Sequence, residues 1–169
     1  VADALYEGVS AYVTPALSES ALELVNSGRL YQISLGLRLL GVAGGERAFS
    51  VLSTAVEEGE IATETGEAMD AGLTLMEPGG SVSGDNETVI RRAALVGLAN
   101  LGDPRAVDVV RPFLSETGHP LHDEAVVASY RAGDDQAAGA MVDLYLQAIY
   151  ETITLRNKLD EPDYGLPTL

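Results

Sequence analysis

A chain of 169 residues that is 46% hydrophobic is long enough to bury a core and fits one domain or one repeat array. Its 26 acidic residues against 10 basic ones give a formal charge of −16, which argues against binding DNA, RNA or an anionic membrane surface. It has no Cys, so disulfides, thiolate nucleophiles and Cys-bound zinc are excluded.

The chain opens on VADALYEG, which has neither a basic start nor an apolar core of the kind a signal peptide needs, and none is expected. Val1 suits either a trimmed initiator Met or a domain cut from a longer chain. No stretch approaches 18 uncharged apolar residues, so no transmembrane helix is expected. From residue 20 the apolar positions take helical spacing. SALELVNSG (20–28) overlays VLSTAVEEG (51–59) at an offset of 31, and SLGLRLLGVAGGERAFSVLSTAVEEG (34–59) reads as helix, turn, helix. EIATETGEAMDAGLTLMEPGGSVSGDNE (60–87) offers one helix and then a Gly/Ser stretch, EPGGSVSGDN (77–86). That stretch is a surface loop, a joint between two halves, or what remains of a second helix.

The clearest unit follows. NETVIRRAALVGLANL places Val89, Ile90, Ala93, Ala94, Leu95, Leu98 and Leu101 on one helical face, with Arg91 and Arg92 on the other. Asn86 is the expected N-cap, with Glu87 in the first turn. Gly102 suits a left-handed C-terminal residue, Asp103 a cap for the next helix, and Pro104 that helix's first position. RAVDVVRPFLSE then turns Ala106, Val107, Val110, Phe113 and Leu114 inward, and Pro112 inside this helix is expected to bend it. The same pattern returns at that same offset in EAVVASYRAGDDQAAGAMVDLY (124–145), with Gly133 on Gly102 and Asp134 on Asp103. It also stands earlier in the chain, at nearly twice the offset, with Gly36 and Gly41 on Gly97 and Gly102. A fixed period of this size predicts stacked helical hairpins, none of which can bury its apolar face alone. DQAAGAMVDLYLQAIYETITLRNKL (135–159) reads as one long helix capping the array, and DEPDYGLPTL (160–169) as an extended tail.

The segment RRAALVGLANLGDPRAVDVVRPFL resembles the HEAT-like repeat family named after phycobilisome lyases. The resemblance rests on its Arg-Ala-Ala run, its Leu-Gly-Asp-Pro-Arg-Ala-Val turn and the apolar helix after it. It is strong at 88–145 and weaker at 20–59. It implies an all-α, HEAT-like α-solenoid of stacked helical hairpins, right-handed and about four to five hairpins long. One array would span 1–159, with a degenerate repeat or loop at 60–86. Some family members help to attach bilin chromophores, so the resemblance also raises a lyase-type accessory enzyme, although the scaffold hosts many functions. Nine of the ten basic residues are Arg, and Lys158 is the only Lys. This acidic, Lys-poor, Cys-free composition resembles proteins of salt-loving organisms, for which molar salt would screen the self-repulsion.

Residues with chemistry are few. His119 and His122, beside Asp123 and Glu124, have nitrogen and oxygen donors that zinc would accept, but their place at a helix start explains them without a metal. Acid pairs at 56–60, 133–135 and 159–163 are expected in so acidic a chain. Catalytic residues, metal and cofactor are therefore all expected to be none. The expected role is non-catalytic: an adaptor or structural subunit that binds protein, either other chains or copies of itself. The alternative is a building block of a large symmetric assembly such as a halophilic virus particle. No nucleic acid and no membrane are expected as partners, and the place is a high-salt cytosol, or a virion on the alternative. The candidate binding surface is Arg91, Arg92, Arg105, Asp108, Arg111, Asp143 and Tyr164, with self-association through the tail 160–169; Arg91 and Arg92 are expected either to pair with local acids or to accept an acidic partner element. Tyr130, Tyr145 and Tyr150 are expected to be partly buried, with interface use as the alternative.

Overall fold

A computed structural model describes residues 15–61, 76–77, 80–81, 85–115 and 118–160. A first helix, α1, covers 15–25. Six more follow: α2 (Leu30–Ala43), α3 (Glu46–Glu58), α4 (Asn86–Leu101), α5 (Ala106–Leu114), α6 (His122–Arg131) and α7 (Ala138–Asp160). The described residues also include a short antiparallel ladder in which Met76 faces Ser81 and Glu77 faces Gly80. The fold is an all-α helical repeat.

Three hairpins, α2/α3, α4/α5 and α6/α7, stand in a row. The first helices stack as α2 on α4 on α6, and α3 packs on α4 and α5. One core runs through them, with Ile33, Leu37 and Leu40 of α2, Leu52 and Val56 of α3, and Leu95 and Leu98 of α4 fully buried. Each such side chain stabilises the fold by about 2 kcal/mol through the apolar surface it hides from water.

Small residues set the spacing. A Cβ at Gly97 would lie 2.6 Å from the Leu37 carbonyl oxygen, and one at Gly36 would lie 2.7 Å from that of Ala21. These two glycines hold equivalent places in their hairpins, each letting the preceding helix approach. Gly41 meets the Gly97 backbone directly.

The turns repeat at the backbone level. Gly102 (φ 64°) and Gly133 (φ 92°) close successive hairpins, and Gly28 (φ 75°) and Gly59 (φ 70°) end α1 and α3 with the same sequence separation. The residue after each hairpin glycine accepts an N–H from the turn that follows; Asp134 thereby caps the 3₁₀ turn before α7, whereas Asp103, expected as the cap of α5, bonds within the turn ahead of it, and Arg105 at the N-cap position makes no side-chain cap bond. Arg105 N–H donates to Asp103 Oδ1 at 2.9 Å, and Gln136 N–H donates to Asp134 Oδ1 at 3.0 Å. Asp134 also accepts from the fully buried Ser129 hydroxyl at 2.7 Å, which satisfies a polar group that would otherwise destabilise the core.

Several expectations shift. The helix expected after Glu60 lies outside the described residues, and the α4/α5 hairpin packs directly on α2/α3, nearly two periods earlier in the chain. The repeat period therefore holds along the sequence but not for that neighbour in space. Part of 77–86 is the ladder. Asp85, not Asn86, is the N-cap of α4, its Oδ1 accepting from Thr88 N–H at 2.9 Å. Below Pro104 the first turn is tight, with Ala106 N–H bonded to Asp103 O, and regular helix starts at Ala106. Pro112 lies inside α5, which ends at Leu114. The helix expected at Pro120 begins at His122, and the long last helix begins after a 3₁₀ turn at Asp135–Ala137.

Candidate interaction surface

The second helices present one face to solvent. Ser50 and Thr54 of α3, Asp108 and Arg111 of α5 and Asp143 of α7 are exposed on it. Asp108 and Arg111 pair with each other at 2.6 Å, and both remain open to water.

Arg105 stands just before α5 and works as a clamp between hairpins. Its guanidinium forms two parallel hydrogen bonds to Glu46 (2.9 and 2.8 Å) and two to Asp103 (3.0 and 2.7 Å), and it lies 4.0 Å over the Phe49 ring. Its hydrogen bonds to Asp103 first, and then to Glu46, raise the Arg105 pKa further. The same bonds hold Glu46 and Asp103 below the ordinary carboxylate range. Thr88 does the same for the cap Asp85, through its side chain first and its backbone N–H second.

Arg91 and Arg92 face inward to the neighbouring hairpins and are about three-quarters covered. Arg91 Nη2 lies 3.0 Å from Glu87 and donates to the Glu57 carbonyl of α3. Arg92 Nε lies 2.7 Å from Glu124 of α6, and its Nη2 donates to the Pro120 carbonyl. The two arginines tie the hairpins together from within the row, so their positions suit clamping more than docking. Arg105 is half exposed, and its guanidinium is engaged by Glu46 and Asp103. Tyr164 and the tail beyond residue 160 lie outside the described residues.

The two histidines serve the α5–α6 connection. His119 Nδ1 accepts from Leu121 N–H at 3.1 Å and its ring meets Phe113 edge-on at 5.2 Å, while His122 Nδ1 lies 3.2 Å from the Phe113 carbonyl. Among the described residues, no three His, Asp or Glu side chains converge as metal ligands would.

Two concavities flank the row. One, of about 450 Å³, lies between α5 and the turn into α7 and is lined by Val107, Arg111, Leu114, Ser115, Asp134 and Gln136. The other, of about 270 Å³, lies between α4 and α6 on the opposite face, with Val96, Ala99 and Val127 beside Asp123 and Arg131. Both are open and mix charge with small apolar areas.

The largest feature is one the sequence analysis did not select. Only the first turns of α7 pack on α6, and every residue from Tyr145 to Ile153 is exposed. Val142, Tyr145, Leu146, Ile149, Tyr150 and Ile153 line one side of that helix. Their spacing of i, i+3, i+4, i+7, i+8 and i+11 makes a band about 140° wide, the signature of a face meant to be covered. Tyr130, Tyr145 and Tyr150, expected to be partly buried, are 47%, 65% and 71% exposed. The reason is length. At 1.5 Å per residue, the 23 residues of α7 span about 34 Å, while the ten of α6 span about 15 Å. The overhang has nothing on its own hairpin to pack against. The signal was present in the sequence as the spacing from 142 to 153 and the excess length of the last helix.

Residues 90–116, most of α4 with all of α5, match the family described as PBS lyase HEAT-like repeat. No curated protein and no solved structure matches the chain. Among the described residues, no helix is long and apolar enough to cross a membrane.

Proposed function

Taking as premise that the chain carries a HEAT-like repeat of the PBS lyase type at residues 90–116, we propose that it is a non-catalytic, protein-binding subunit, an adaptor or structural component of a multi-protein assembly. One observation carries the reading: the uncovered apolar band on α7. Monomeric proteins seldom expose a contiguous apolar patch beyond a few hundred Å², and larger ones mark binding sites. The six side chains of the band together expose on the order of 700 Å², close to the roughly 800 Å² that one partner contributes to an ordinary interface. Tyr145 and Tyr150 are the residue type that anchors interfaces.

The test immobilises the full chain and a Tyr145→Asp/Ile149→Asp variant in molar salt and exposes each to the native extract. Proteins retained by the first and lost from the second support the reading. Equal retention by both, or a bound chromophore in the purified chain, argues for another function.

A further inference from the structure

We infer that the α7 band is covered by the α7 band of a second copy of this chain, the two helices running antiparallel. This rests on the protein-binding reading and names the partner.

Three observations point to it. First, the area matches. Two such bands facing each other can bury at most about 1,400 Å², which reaches the range of stable, specific interfaces. Second, the helix needs a neighbour. The overhang contains Ile149, Thr152, Ile153 and Thr154, β-branched residues with modest helix preference, and a segment this short is marginal as an isolated helix in water. Third, the charges select the direction. Asp143 flanks the start of the band and is exposed. Antiparallel packing centred on Ile149 sets Tyr145 opposite Ile153 and carries the two Asp143 carboxylates to opposite ends of the interface, whereas parallel packing would set Asp143 against Asp143. Each copy carries −16, so the association strengthens as salt screens the repulsion between copies.

The experiment uses the full chain in molar KCl. Light scattering after size exclusion is expected to give twice 17.7 kDa, falling to 17.7 kDa for Tyr145→Asp/Ile149→Asp with unchanged helical circular dichroism. Because the chain has no Cys, single cysteines report the direction on an otherwise native surface. Ile149→Cys is expected to form a disulfide between copies. Tyr145→Cys is expected to cross-link to Ile153→Cys in a mixture, and not to itself. A wild-type chain that stays at 17.7 kDa up to about 0.1 mM overturns the proposal. So does self-cross-linking of Tyr145→Cys as fast as that of Ile149→Cys, which signifies a parallel pair. A monomeric chain that still retains extract proteins through the band overturns self-docking and leaves the protein-binding reading intact. A monomer that retains nothing overturns both.

Discussion

At the scale of single residues, close approach and clamping divide the work. Gly97 lies where a Cβ would come within 2.6 Å of a backbone oxygen on α2, and backbone cannot step aside as a side chain can. Ala is the better helix former by about 1 kcal/mol, yet forced overpacking costs about 1–3 kcal/mol. Gly97→Ala is therefore expected to destabilise the fold by up to about 2 kcal/mol in chemical denaturation. An unchanged midpoint would mean that α2 and α4 are less tightly joined than their geometry indicates. Arg105 acts through charge instead. It holds Glu46 and Asp103 below the ordinary carboxylate range, and a group with a depressed folded pKa contributes stability above its unfolded value that is lost as pH falls through the folded one. Stability is thus expected to decline as pH falls below the ordinary carboxylate range and through the lowered folded values, where these carboxylates take up protons. Arg105→Ala should flatten that limb of the stability–pH curve while leaving the neutral fold in place. An identical acid limb in the variant would show that the clamp is not linked to folding.

Individual elements are held by their ends. Asp103 and Asp134 each accept the backbone N–H two residues on in successive hairpin turns, but only Asp134 is an N-cap and also satisfies a buried hydroxyl, that of Ser129. Losing a cap costs about 1 kcal/mol, and stranding a buried hydroxyl adds about 1 kcal/mol or more. Asp134→Ala is expected to destabilise by about 2 kcal/mol. Added to Ser129→Ala, it should cost less than the sum of the two single changes, because they share one interaction. Additive costs in this double-mutant cycle would deny the coupling. The overhanging half of α7 is the element with the weakest local support, and its amides are expected to exchange with solvent faster than those of α4.

For the whole molecule, charge is the dominant variable. A net −16 opposes compaction in dilute buffer, and raising ionic strength from about 0.1 M to about 1 M shortens the screening length from about 10 Å to about 3 Å. The melting temperature is expected to rise by about 5 °C or more over that change, as a salt-adapted protein requires. A flat or falling melting curve would remove the halophilic reading and leave the fold untouched. Salt is also expected to favour pairing of copies, so association and stability should rise together.

Local chemistry fixed much of this protein in advance. Glycine's freedom to take positive φ, aspartate's reach to a nearby N–H and the 3.6-residue apolar rhythm all act over a short stretch of chain. The helices, the Gly102 and Gly133 turns, the Asp134 cap and the buried face of α4 were accordingly legible in the sequence. Asp85 rather than Asn86 caps α4 because two adjacent residues could each serve and only the observed backbone separates them. Neighbourhood in space was not legible. Whether the α4/α5 hairpin packs on the segment just before it or on α2/α3 depends on which surfaces fit, and the Gly41–Gly97 approach settles that. The inward roles of Arg91 and Arg92, and the exposure of Val142 to Ile153, were decided in the same way. An apolar stripe looks alike in sequence whether or not another helix reaches it, and only the lengths and positions of α6 and α7 leave this one bare.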